Sequence, residues 1–258
     1  MAFSGGADST LFSIDANTGV LTFTAAPDFE TLDDADNNGI YEVQVTANDG
    51  NGGTDVQAIS VTVTNVNETP TDITPNSFSV DENTDTSGGY TVGTLSTTDE
   101  DAGDTFTYTV VGGADQTAFS IGGAGDNELI LTDGVLDHES QASYEVTIRS
   151  TDAGGLWREE TLTVSVNDVN EAPSIDSAAV TAATEDALYT YNISTSDVDG
   201  DALTITATTK PAWLTFVDNG DGTATLSGTP TNDEVGDHNV VIEVSDGALS
   251  DTQSFTIT

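Results

Sequence analysis

Acidic side chains recur along this chain in short, ordered groups. Between residues 71 and 173 they stand as Asp81-Glu82-Asn83, Asp99-Glu100-Asp101 with Asp104, Asp137-His138-Glu139, Asp152, and the run Asp168-Val169-Asn170-Glu171 that leads to Pro173. Upstream, Asp28-Phe29-Glu30 and Asn65-Val66-Asn67-Glu68 repeat two of these patterns; downstream come Asp197-Val198-Asp199 and Asp246. Carboxylates and Asn amides are hard oxygen donors, and about six to eight such oxygens are what a calcium ion takes. The competing use is local, because Asp and Asn also favour turns by bonding to backbone a few residues on.

One further group has a spacing of its own. Asp34-Ala35-Asp36-Asn37-Asn38-Gly39 puts oxygen side chains at the first, third and fifth positions of an EF-hand calcium loop, Asp34, Asp36 and Asn38, with glycine at the sixth. The match then stops. The twelfth position is Val45 instead of Glu, and the residues after Gly39 alternate like a strand. A lone calcium loop, joined by Glu42, and a plain acidic hairpin tip both stay open. Asp197 to Asp201 fails the same test at Thr208, and the glycine-rich Gly122 to Asp126 occurs once and is read as a turn.

Other chemistry has little to stand on. His138 and His238 are the only histidines, neither lies in a zinc-binding His-Glu-x-x-His pattern, and there is no Gly-x-Ser-x-Gly elbow or phosphate-binding glycine loop. The chain is not expected to be an enzyme. Cysteine is absent, which removes disulfides and thiolate zinc sites without placing the chain in the cytosol. Three Lys plus Arg stand against 45 Asp plus Glu, a formal charge of −42 that repels nucleic acid and anionic membrane surfaces alike. No apolar run approaches the roughly 20 residues of a spanning helix, so membrane insertion is not expected, and Met1 to Thr10 has neither the basic nor the apolar region of a signal peptide. Of the two tryptophans, Trp213 sits in an apolar stretch that reads as core, whereas Trp157 is the better surface candidate for stacking on a sugar.

The elements that must position these acids are strands. Tyr41, Val43, Val45 and Ala47 fall on one face of a period-two pattern, and Ile59, Val61 and Val63 repeat it. So do Tyr144, Val146 and Ile148, then Leu162, Val164 and Val166, then Val240, Ile242 and Val244. No helical stripe competes. With 258 residues and about 100 to 200 per domain, one to three domains are expected, and internal repeats locate them. Gly5-Gly6-Ala7-Asp8 recurs as Gly112-Gly113-Ala114-Asp115, an offset of 107, and Tyr41-Glu42-Val43 recurs as Tyr144-Glu145-Val146, an offset of 103. The first copy carries an extra loop: ten residues, Thr31 to Ile40, lie where the later copy has only Ser140 to Ser143.

These repeats predict an all-β chain of tandem Ig-like Greek-key β-sandwiches arranged end to end, with modules at 1–70, 71–173 and 174–258. The first lacks counterparts of Thr71 to about Thr109, so it is expected to be a truncated module with exposed edges, frayed or completed by another chain, in a cut fragment of a larger protein. The joints Asn65 to Pro70 and Asp168 to Pro173 end in proline and contain no Gly/Ser tract, which makes them stiff once their acids are neutralised. Because most acids lie at strand ends, those far apart in sequence can meet at a joint.

On these residues the chain resembles the cadherin-like tandem repeats of large bacterial surface adhesins of the RTX type. Glu82 in Val80-Asp81-Glu82-Asn83 resembles the family's first-strand glutamate, Asp28-Phe29-Glu30 and Asp137-His138-Glu139 its aspartate-any-glutamate motif, and Asp99-Glu100-Asp101 and Asp197-Val198-Asp199 its paired-aspartate motif. Asn65 stands where the linker's leading aspartate would be. Ala212-Trp213-Leu214, Leu226-Ser227-Gly228-Thr229-Pro230 and Val235-Gly236-Asp237-His238 make the third module similar to the dystroglycan-type cadherin-like variant. The resemblance implies two composite calcium sites. One would draw on Asp28, Glu30, Asn67 and Glu68 with Asp99, Asp101 and Asp152; the other on Glu82, Asp137, Glu139, Asp168, Asn170 and Glu171 with Asp197, Asp199 and Asp246. It implies a calcium-dependent structural extender of an extracellular or bacterial cell-surface adhesin, whose partners are calcium ions and neighbouring repeats of the same chain. The alternative function is an adhesin module that binds a glycan or another cell-surface protein.

Overall fold

Alternating apolar and polar side chains dictate half-buried strands, and in the computed structural model, which describes residues 1–258, the regular elements are strands and three single-turn 3-10 segments, joined by turns and loops. In strand Ile40–Asn48 the side chains of Tyr41, Val43 and Val45 are buried while Glu42 stays exposed. No helix is long and apolar enough to cross a membrane. The chain divides into two compact units, the first Met1–Phe78, Gly88–Thr132 and Tyr144–Val164, the second Ser79–Ser87, Asp133–Ser143 and Ser165–Thr258.

In the first unit, Ala2–Gly5, Ile40–Asn48 and Thr54–Thr62 form a three-stranded sheet in that order, antiparallel, with Tyr41 opposite Val61 and Val43 opposite Ile59. A small aromatic core lies beneath it, where Phe12 stacks on Phe23 at 4.4 Å and Phe23 meets Tyr41 edge-on at 5.2 Å. Thr54–Thr62 is the sheet's edge, with Val56 exposed and Ile59 and Val61 half-buried. The later copy buries the same positions fully: Leu162 and Val164 are both 0% exposed. There Phe119–Gly122, Glu128–Leu131 and Tyr90–Thr94 form a second antiparallel sheet.

The repeat survives in backbone detail. Both copies interrupt an antiparallel pairing with a bulge, between Phe3 and Gly5 and between Val110 and Gly112, and both continue into a left-handed glycine, Gly6 at φ 99° and Gly113 at φ 101°. Each glycine lies so close to the next strand that an added Cβ would strike its backbone, at Val43 and at Val146.

In the second unit, Ser174–Ile175, Tyr189–Ser196, Thr223–Gly228 and Thr215–Asp218 form one sheet, and Thr204–Thr209, His238–Ser245 and Ser250–Ile257 the other. Tyr191, Ile193, Leu226, Val240, Ile242 and Val244 fill the core around them. Trp213 belongs to that core, edge-on to Tyr189 and to His238, as its apolar neighbours predicted.

Two short pairings bring the acids to the joints. Asp72–Thr74 pairs with Ser96–Thr98, Asp72 opposite Thr98, which lays Asp99 beside the Asn65 to Pro70 joint. Ser174–Ile175 pairs with Tyr189–Ser196, Ser174 opposite Ser196, which lays Asp197 beside the Asp168 to Pro173 joint.

Candidate metal centres at the two joints

Each joint carries the same hydrogen-bond plan. At the first, Asn67 Nδ2 donates to Asp152 Oδ2 at 2.9 Å, Glu68 N to Asp101 Oδ2 at 2.8 Å, and Asp101 N to Asp99 Oδ1 at 3.1 Å. At the second, Asn170 Nδ2 donates to Asp246 Oδ2 at 2.9 Å, Glu171 N to Asp199 Oδ2 at 2.8 Å, and Asp199 N to Asp197 Oδ1 at 3.0 Å. These bonds use one oxygen of each carboxylate and hold the rest in a fixed direction. Close packing makes room for them: an added Cβ at Gly154 would collide with the Asn67 amide.

The carboxylates so held converge. In the first unit, oxygens of Glu30, Glu68 and Asp101 lie within 4.8 Å of one another, as do those of Asp99, Asp104 and Asp152. In the second unit the same holds for Glu82, Glu139, Glu171 and Asp199, for Asp197, Asp199 and Asp201, and, with an imidazole nitrogen of His138, for Glu139 and Asp168. Glu82 is buried and fixed at both oxygens, accepting from Val169 N at 2.7 Å and His138 N at 2.8 Å. Asp101 and Asp152 are buried as well.

Several oxygens at these centres face neither water nor a donor. Glu68 Oε2, Asp99 Oδ2 and Asp104 Oδ2 at the first, and Glu171 Oε2, Asp197 Oδ2 and Asp199 Oδ1 at the second, are buried and accept no hydrogen bond. Native proteins rarely leave a buried acceptor unsatisfied, and here the neighbours are like charges. No Lys or Arg relieves them: Arg149 and Arg158 bind Glu159 and Glu160, and Lys210 caps the Leu214 carbonyl. A set of hard oxygens with no counter-charge fits a cation of the calcium class, and would supply its carboxylate ligands.

The acids respond in their proton affinity. Burial pushes the Glu68 carboxyl above the usual range, aided by Glu30 and Asp101. Asp104 is raised by burial and by Asp101 and Asp152, and Glu139 by burial and by Glu82 and Asp199. The Asn83 amide lowers Glu171, but burial together with Glu82 and Asp199 outweighs it, and the net shift is upward. Elsewhere hydrogen bonds win. Asp137 is lowered by Ser140 and Asp246 by Asn170; Asp152 is lowered too, its burial outweighed by the bonds from Asn67, Leu156 and Gly155.

Signs follow for stability. A raised carboxyl binds its proton more tightly in the native chain, so its contribution is full below the unfolded pKa near about 4 and is lost as pH rises through the folded value. The lowered carboxyls act only below the usual range, where falling pH removes what they contribute. In calcium-free buffer the melting temperature should therefore decline as pH rises from about 4.5 to about 7. Glu68→Gln combined with Glu171→Gln should flatten that decline. A pH-independent melting temperature over this interval, or a slope the double variant leaves intact, would contradict the raised-carboxyl account.

The sequence expectations divide cleanly on this geometry. Glu30, Glu68, Asp99, Asp101 and Asp152 come together, and Asn67 braces Asp152. Glu82, Glu139, Asp168, Glu171, Asp197 and Asp199 come together, with Asn170 bracing Asp246. Asp28 and Asp137 instead cap their own turns, accepting from Glu30 N and Thr31 N and from Ser140 N and Ser140 Oγ. Asp104, Asp201 and His138 join the groups although sequence reasoning did not select them; the nearness of Asp104 and Asp201 to the paired aspartates was the available signal. Asn65 donates to Asp101 Oδ1 at 2.6 Å, a bracing role an aspartate could not fill. Asn83 likewise donates to Glu171. Trp157 is exposed, with the Arg149 guanidinium 4.4 Å above its ring.

Two stretches of the chain match known families. Residues 76–167 match the Cadherin domain family. Residues 172–258 match the family described as Putative Ig domain. The chain is 30% identical over 176 residues to Protocadherin Fat 2 of Mus musculus, covering 66% of this chain and 4% of that protein. It is 32% identical over 174 residues to the Protocadherin-like wing polarity protein stan of Drosophila melanogaster, covering 62% of this chain and 5% of that protein. Only a small part of these relatives is therefore spanned. Among solved structures, the Protocadherin GammaB4 extracellular domain superposes with a TM-score of 0.67 at 21% identity, over 95% of this chain and 41% of that one. Human CDH23 EC21-23 gives 0.66 at 16% identity, over 99% and 87%. The fold is that of cadherin-like and Ig-like domains in tandem, and cadherin-like domains are non-enzymatic structural modules.

Proposed function

We propose that this chain is a calcium-stiffened spacer: cadherin-like modules in a row, outside the cell, whose joints are set by bound cations. The observation that carries it is the duplicated hydrogen-bond plan, which holds buried, unpartnered carboxylate oxygens at both joints with no Lys or Arg to neutralise them. Calcium supplies the counter-charge when bound. The chain's own residues do the rest. Asn67 and Asn170 orient Asp152 and Asp246, the backbone N–H groups of Glu68 and Glu171 orient Asp101 and Asp199, and Glu82 is locked by two backbone donors. Without a cation the facing carboxylates repel, and the cost falls on the geometry of the joint.

The finer reading is a segment of a large, secreted bacterial surface adhesin. It rests on the ordered motif resemblance and on a charge of −42, suited to calcium-rich surroundings rather than to nucleic acid or anionic lipid. Extracellular modules bind calcium at about 0.1 to 1 mM, which such surroundings provide. Glycan stacking on Trp157 is less favoured, since Arg149 already covers one face of the ring.

Small-angle scattering tests the stiffening directly. In millimolar calcium the distribution of chain dimensions should be narrower than in chelator, and Asp99→Ala with Asp101→Ala should widen it again. Superimposable curves with and without calcium would reject the proposal.

A further inference from the structure

The loop that distinguishes the first copy from the second has a buried charge of its own. Asp34 is only 4% exposed, yet it lies in a surface turn between Thr31 and Ile40. Its Oδ2 accepts from Asn38 N at 2.8 Å, across the loop, so the carboxylate faces the loop's interior. Its Oδ1 is buried and accepts nothing. Asn38 Nδ2 donates to Asp36 Oδ2 at 2.8 Å and Asn38 Oδ1 accepts from Ile40 N at 2.7 Å, so Asn38 links both acids, Asp34 through its backbone N–H and Asp36 through its side chain.

The loop is also held from outside. Asp8, 3% exposed, accepts from Ala35 N through Oδ1 and from Glu42 N through Oδ2, both at 2.7 Å. Asp33 Oδ1 accepts from the Tyr41 hydroxyl at 2.7 Å. The later copy keeps part of this frame, with Glu145 N donating to Asp115 Oδ2 at 2.8 Å. What the inserted residues add is therefore the acids, and burying a carboxylate oxygen without a donor is unfavourable unless a counter-charge arrives. None can come from basic side chains nearby in sequence, because the first Lys or Arg in the chain is Arg149.

We propose that the Asp34 to Asn38 loop binds one hard divalent cation of the calcium class, separately from the two joints. Asp34 Oδ1 and the Asp36 carboxylate are its side-chain ligands, with backbone carbonyls and water completing the shell. None of these residues belongs to the carboxylate groups at the joints. Binding would order the inserted loop at the start of strand Ile40–Asn48.

Backbone amide NMR of the whole chain, titrated with calcium chloride, separates this site from the joints. The amides of Ala35 to Ile40 should shift and saturate, as should those of Glu68 and Glu171. Asp34→Asn keeps an acceptor for Asn38 N and should weaken the loop response about tenfold or more by removing a ligand charge, leaving Glu68 and Glu171 unchanged. Should that variant fold poorly, Asp36→Ala, at an exposed position, should give the same selective loss. The proposal is overturned if the loop amides stay still while the joint amides move. It is equally overturned if sodium chloride shifts the loop as calcium does, or if both variants respond like the parent chain.

Discussion

Glu68→Gln and Asp104→Asn should each raise the melting temperature in calcium-free buffer and lower it in millimolar calcium. Both carboxyls are pushed above the usual range by burial and by neighbouring carboxylates, so the native chain holds them as charges at an energetic cost. Each also has a buried oxygen with no hydrogen-bond partner. Replacing the charge by an amide of the same shape removes the repulsion and provides a donor toward Asp101 and its neighbours. With calcium present the same change deletes a ligand charge, and the balance reverses. The expected size is roughly 2–4 °C in each direction. Asp55→Asn, at an exposed acid outside both centres, is the control and should change neither condition appreciably. Two shifts of the same sign in both buffers would mean that these acids act as surface charge and not as ligands.

How far the sequence alone reaches is clear from particular residues. Tyr41, Val43 and Val45, and later Tyr144, Val146 and Ile148, announce their strands because a period of two buries one face, and all six are buried. The repeat offset of 107 is legible for a backbone reason too: Gly6 and Gly113 each turn left-handed against the next strand, where a side chain does not fit. The Asp-x-Asp motifs mark the joints because the second aspartate's N–H binds the first aspartate's carboxylate, a brace that needs acids at fixed spacing. What sequence does not reveal is the competition for each oxygen. Asp28 and Asp137 sit in the right motif, yet their short side chains find backbone donors two and three residues on and close their own turns. Asp104 enters its group because the turn through Gly103, at φ 93°, folds it back beside Asp101, whose carbonyl accepts from its N–H. Asn65 is a further case, since only the structure shows that its amide braces Asp101.

At the second centre Glu82 is supplied from the end of strand Ser77–Asp81 and held by two backbone donors. Charge count and rigidity of this kind set calcium affinity in oxygen sites.

Thermal unfolding in chelator and then in calcium, with magnesium chloride and ionic-strength-matched sodium chloride alongside, tests the central claim most directly. A site at ten times its dissociation constant adds about 1.4 kcal/mol by mass action, and several such sites acting on one chain give a large rise. The account predicts a calcium-specific increase in melting temperature that shrinks when Asp99→Ala is combined with Asp101→Ala. An equal increase in sodium chloride would contradict it and leave the 45 acids as general surface charge.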